Sequence, residues 1–167
     1  FRSPPEPPKD AFDIGHDVEP FAANRWRRLN PGWRISKGEV QFHVPDGHFP
    51  FPALGTIDRR CSRGWWRKIA EFKLARTLSD AEAWGDPNLS GDCPSDYACQ
   101  IVTQMAFAQA TDPAGGWTRE PADLLAIGPY FNERLYRIEF DVDVWAWMLG
   151  EITAFYESLA HDVPPEL

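Results

Sequence analysis

Apolar residues recur at Phe12, Val18, Phe21, Ala22, Trp26 and Leu29, close to the three-and-four spacing of a single helix face, and predict a helix over 12–29. Asn30-Pro31-Gly32 stops it. Residues 39–44 (EVQFHV) alternate polar and apolar and predict a strand, with Pro45-Asp46-Gly47 as its turn. Residues 51–60 and 65–75 read as two more strands around a short turn at Ser62-Arg63-Gly64. A breaker-rich stretch, 79–93, reads as a loop. Pro94 suits the first turn of a helix running to 110, because its missing N–H would be unsatisfied there anyway. Asp112-Pro113-Ala114-Gly115-Gly116 ends that helix. Two further strands are expected over 122–127 and 134–140, around a turn near Phe131-Asn132-Glu133. Asp141 caps a last amphipathic helix through 159, with Trp145, Met148, Leu149, Ile152, Phe155 and Tyr156 on its apolar face. The order α, three strands, α, two strands, α predicts an α/β domain with one central mixed sheet flanked by helices.

The chain has 167 residues, enough for one domain with a real core, and its 43% hydrophobic and 25% charged residues are ordinary for a folded protein. Residues 11–167 are expected to form that single domain. Residues 1–10 (FRSPPEPPKD) hold four prolines and read as a tail, or as the end of an N-terminal segment missing ahead of Phe1. No apolar run approaches the ~20 residues a membrane-spanning helix needs, nothing resembles a signal peptide, and no membrane association is expected. Three cysteines (Cys61, Cys93, Cys99) without CxxC spacing exclude a disulfide framework and a zinc-thiolate or iron–sulfur site, and suit a reducing compartment. The 8 tryptophans need a use in core or in binding; for Trp65, Trp66, Trp145 and Trp147 core packing is the expectation and base stacking the alternative.

Charge changes the picture more than composition does. The net charge of -8 argues against a protein that simply coats nucleic acid. Residues 11–80, however, carry 12 Lys/Arg against 8 Asp/Glu, whereas residues 81–167 carry 3 against 15. The basic residues cluster at Arg25, Arg27, Arg28 and Arg34, and again from Arg59 and Arg60 through Arg63 to Arg67 and Lys68. A basic face on an acidic protein suits an enzyme that touches a polyanion locally; the plainer alternative is two solvated faces.

The chemistry lies in Gly55-Thr56-Ile57-Asp58 followed by Ile69-Ala70-Glu71-Phe72-Lys73. On a strand, Glu71 and Lys73 point to one side and Phe72 to the other. A hairpin pairing brings Asp58 beside Glu71. Two carboxylates pressed together must bind a proton or share a cation. A hard divalent ion such as Mg²⁺, or Mn²⁺ with the same oxygen ligands, resolves the conflict. A neighbouring lysine can orient a water and balance phosphate charge.

This D…EFK arrangement is the pattern of the PD-(D/E)XK nuclease superfamily. Around it lie Gly15-x-x-x-Glu19 on the first helix, GTIDRR, IAEFKLART, the EAWGD loop, and Pro94-x-x-Tyr97-x-x-Gln100-x-x-x-Gln104 opening the second helix. The ordered series, over about residues 12–160, resembles the YqaJ-like viral recombinase family of alkaline exonucleases. The resemblance implies a restriction-endonuclease-like core. It implies metal ligands at Asp58, Glu71 and the Phe72 carbonyl, a further carboxylate at Glu19, a catalytic lysine at Lys73, and support from Gln100. DNA contacts are expected at Arg25, Arg28, Arg59, Arg60, Arg76, Tyr97 and Gln104. It further implies Mg²⁺-dependent digestion of linear double-stranded DNA from its ends, 5′ to 3′, leaving 3′ single strands for recombination. The implied partners are an annealing protein and further copies of the chain in a ring such as a trimer, and the implied location is the cytoplasm of a bacterium or phage-infected cell. The family's DNA-gripping region ahead of the first helix has no counterpart here beyond the Pro-rich stub. A related endonuclease, and a non-catalytic DNA-binding module on the same scaffold, are the alternative readings.

Overall fold

The computed structural model describes residues 9–79 and 83–161. Most of the expected Pro-rich tail (1–8) and Glu82 of the EAWGD motif lie outside the described residues. The described chain runs α1 (Lys9–Leu29), β1 (Arg34–Ile35), β2 (Val40–His43), β3 (Leu54–Ile57), β4 (Arg59–Arg63), β5 (Trp66–Leu74), α2 (Ser95–Thr111), β6 (Ala122–Ile127), β7 (Glu133–Ile138) and α3 (Val142–Ala160). Lys9 and Asp10 thus belong to the first helix rather than to a tail. Pro20 sits inside that helix, so the His16 carbonyl has no N–H four residues on to receive. Asp141 caps α3 as expected, its carboxylate accepting from the Asp143 and Val144 N–H groups.

The expected single sheet is two. The main sheet has the order β1-β4-β5-β6-β7, and β2 and β3 form a separate two-stranded ribbon. Within the main sheet β5 and β6 pair in parallel, linked by the α2 crossover, and every other pairing is antiparallel. The central sheet is therefore mixed and flanked by helices, as the sequence predicts. The strand expected over 51–60 breaks at Asp58. The residues before it pair with β2, and those after it pair with β5. Gly55 is needed because β3 passes close to α2: a Cβ there would lie 3.1 Å from the Phe107 ring.

Both faces of the main sheet are buried. Alternation along β5 and β6 sends Ile69, Leu124 and Ala126 into the larger core, under α2, with Met105, Ile101, Trp117 and Tyr136. Ala70, Leu125 and Ile127 point the other way, onto Ala22 and Trp26 of α1. All six residues of β6 are buried, five of them apolar and the sixth, Asp123, charged. A third cluster (Val44, Phe51, Phe107, Ala110) joins the ribbon end to α2, with Phe49 and Trp145 packed against it.

Not every tryptophan is in the core. Trp26, Trp84 and Trp117 are buried, but Trp65 is 90% exposed at the β4–β5 turn, and Trp66 and Trp147 are exposed too. The hairpin turn carries Trp65 beyond the sheet, and Trp147 lies on the outer side of α3, so the core-packing expectation fails at all three.

One polar network is buried within the α1 face. Lys68 Nζ lies 2.6 Å from Asp123 Oδ2, which also accepts from Trp26 Nε1 at 2.7 Å, and Lys68 reaches Asn30 Oδ1 at 3.3 Å. Lys68 also stands over the Trp33 ring, 4.6 Å from its centroid. Burial pushes the Asp123 carboxyl up, and the ammonium and the indole N–H pull it back. The sequence signal was two charged residues inside apolar strand runs. Removing one partner of such a pair strands the other charge. Lys68→Met is expected to cost about 3–5 kcal/mol, measured by urea unfolding against wild type.

Candidate active site

Asp58 occupies the bend where the chain leaves the ribbon and enters the main sheet. Its N–H donates to Glu71 Oε1 at 3.1 Å, and its own Oδ2 accepts from the Phe72 N–H at 2.7 Å. The antiparallel register, with Arg59 opposite Ala70, puts these two residues side by side. Lys73 Nζ stands 3.5 Å from Glu71 Oε2 and 5.3 Å from the centre of the Tyr97 ring. Tyr97 is backed by Trp84 at 5.6 Å, which in turn packs on Tyr136.

From α2, Gln104 Nε2 donates to Glu71 Oε1 at 3.0 Å and to the Thr56 carbonyl at 2.8 Å, and Gln100 Nε2 reaches Glu71 Oε2 at 3.4 Å. Tyr97, Gln100 and Gln104 therefore share the helix face turned toward β5, as their spacing predicts. Gln104 was counted among the DNA contacts; it is buried, and its amide instead positions Glu71 and ties the ribbon to α2. Its place seven residues after Tyr97 was the signal for that role.

Glu19 comes from α1. Its carboxylate pairs with Arg59 Nη1 at 2.9 Å and with His16 Nδ1 at 3.1 Å. Arg59 is buried and also donates to the Asp58 carbonyl at 2.6 Å. Arg59 thereby tethers α1 to the Asp58 bend, its buried guanidinium engaged within the fold where a phosphate contact was expected. Among the described residues, Glu19 groups with His16 and Glu39 within 4.8 Å, and not with both Asp58 and Glu71. Arg25 is also engaged, in a two-point ion pair with Glu133. Arg28, Arg60 and Arg76 are exposed.

A cleft of about 270 Å³ opens beside these groups, lined by Gly15, Val18, Glu19, Asp58, Lys73 and Ile127 among others. Glu71, two residues before Lys73 on β5, is 1% exposed. Burial, and then the neighbouring Asp58 charge, push the Glu71 carboxyl up to about 7, against the opposing pull of Lys73. Burial pushes Asp58 up as well, while the Phe72 N–H holds it back. Two oxygen-rich side chains short of positive charge fit a hard divalent cation, and Lys73 alone does not neutralise them.

A carboxyl raised in the folded state binds a proton that the unfolded chain has lost, so it costs stability as pH rises between the two titrations. In EDTA, the wild-type melting temperature is expected to fall from pH 5 to pH 8, and Glu71→Gln to flatten that slope. Parallel profiles for the two proteins would show that Glu71 does not titrate in this range.

No family model matches the sequence, and no curated protein does. Among solved structures, the chain is similar to "Crystal structure of SSO0001", with a TM-score of 0.51 and 14% identity. The likeness covers 96% of this chain and 64% of that one, so this chain spans less than two thirds of its neighbour's length. At that identity the comparison supports the mixed α/β fold alone.

Proposed function

We propose that the protein is a metal-dependent deoxyribonuclease with a restriction-endonuclease-like core, acting on the ends of linear double-stranded DNA. The observation that carries this reading is the cross-bonded Asp58–Glu71 pair, with Lys73 3.5 Å from Glu71, beside an open cleft. Asp58, Glu71 and the Phe72 carbonyl would hold a Mg²⁺ or Mn²⁺ ion, with Glu19 on the facing wall. Such a cation would supply charge neutralisation at the phosphate and acidity at a water.

The chain's own groups do the rest. Lys73 holds the attacking water in line with the scissile phosphorus and offsets phosphate charge. The water oxygen forms the new P–O bond and its proton leaves to solvent, while the bond to the departing sugar oxygen breaks and that oxygen takes a proton from a solvent water. Gln104 and Gln100 keep Glu71 oriented, and the Tyr97 ring limits where Lys73 can swing. Arg28, Arg60 and Arg76, all exposed, would contact neighbouring phosphates. By resemblance the polarity is 5′ to 3′, the product strand passes to an annealing protein, and copies of the chain assemble as a ring with the basic half inward.

Linear duplex labelled at either end, with Mg²⁺ or EDTA and beside a covalently closed circle, tests the reading. Wild type is expected to release the 5′ label only with Mg²⁺ and to spare the circle. Lys73→Ala is expected to lower the rate at least about 100-fold. Cutting of the circle would make the enzyme an endonuclease on the same site, and no Mg²⁺-dependent loss of DNA would overturn the proposal.

A further inference from the structure

β5 and β6 run parallel, so their C-terminal ends open at the same edge of the sheet. Ligands of such sheets gather beyond that edge. The β5 end carries Glu71, Lys73 and, just beyond, exposed Arg76. The β6 end carries Ile127, which lines the cleft, and then Gly128-Pro129-Tyr130-Phe131-Asn132.

That turn is unusual. Tyr130 and Phe131 both adopt left-handed backbone, at φ 58° and 60°, a conformation that bulky residues rarely enter. Tyr130 is 99% exposed and Phe131 71% exposed. The turn is nevertheless held on every side. Gly128 N–H donates to the Asn132 carbonyl at 2.9 Å, and Asn132 N–H to Pro129 at 3.3 Å. A Cβ on Gly128 would meet Asn132 Oδ1 and Leu78 at less than 3 Å. The Phe131 ring rests 5.3 Å from Phe21, on the helix that walls the cleft, and Glu133 is clamped by Arg25. Strain kept in place by its surroundings, with an aromatic ring left in water, marks a candidate contact site.

We infer that Tyr130 is a base-stacking residue, which takes a base of the DNA strand whose phosphate lies in the cleft. Tyr130 stands three positions beyond Ile127, a reach of at most about 11 Å. That spans about three steps of stacked bases at roughly 3.4 Å each. Phe131 acts as a positioning residue by docking the turn on α1. A rigid ring pays little conformational entropy on contact, and every base offers a face to stack on, so the contact is indifferent to sequence. The inference rests on the nuclease reading and adds the element that grips the DNA end.

The test is fluorescence anisotropy of a labelled short duplex in EDTA, where nothing is cut, with normal or abasic terminal nucleotides. Tyr130→Ala is expected to weaken binding of the normal duplex about tenfold, and Tyr130→Phe to stay within about twofold. The abasic duplex is expected to bind wild type and Tyr130→Ala alike. Tyr130→Gly relieves the left-handed strain, and is expected to bind as poorly as Tyr130→Ala while melting at or above the wild-type temperature. If Tyr130→Ala binds the normal duplex as wild type does, while wild type digests DNA with Mg²⁺, the stacking role is overturned and the nuclease reading stands. If wild type neither binds nor digests DNA, both fall.

Discussion

Asp58 and Glu71 each receive a hydrogen bond from the backbone of the strand that carries the other. This reciprocal pair fixes the register of β4 against β5 at the point where the chain changes sheets. It also sets the central electrostatic problem of the molecule, two carboxylates held close together in a poorly solvated place. Much of the surrounding structure answers that problem. Gln104 and Gln100 approach from α2, Lys73 from the same strand, and Arg59 from below through the Asp58 carbonyl. None of these groups removes the conflict, and burial keeps the Glu71 proton near neutrality.

The two faces of the main sheet divide the work. The α2 face supplies the amides that orient Glu71 and the aromatic stack behind Lys73. The α1 face supplies Glu19 and a buried lysine–aspartate pair that fastens the helix to the sheet through Trp26. Because β5 alternates sides, a single nine-residue strand feeds both systems: Lys68 and Ala70 point to α1, Glu71 and Lys73 to α2. A one-residue slip in β5 would exchange them and bury the wrong charges.

Much of this was legible in the residues. Periodicity placed α1, α2, α3, β6 and β7 to within a few positions, because each has a regular apolar pattern and a clear stop. The pairing of Asp58 with Glu71 followed from strand alternation and a short turn. What escaped had physical reasons. The split at Asp58 has no breaker residue to announce it; the bend arises from a side chain taking a backbone donor on a strand 14 residues away. Arg59, Arg25 and Gln104 look like surface groups in sequence, and only tertiary contacts show that Arg59 Nη1, the Arg25 guanidinium and the Gln104 amide nitrogen are engaged within the fold. Nothing local distinguishes Arg59, which is buried, from its exposed neighbour Arg60.

The position of Asp58 also has a mechanical side. It is the joint between a ribbon that leans on α2 and a main sheet packed between α2 and α1. Phe42 and Ile57 of the ribbon share one core with Ile69 and Leu124 of the sheet, so packing on both sides holds the gap between the two carboxylates. Distant packing thus reaches the centre: Gly55, against the Phe107 ring, and Gln104, on the Thr56 carbonyl, stand on the ribbon side of that joint.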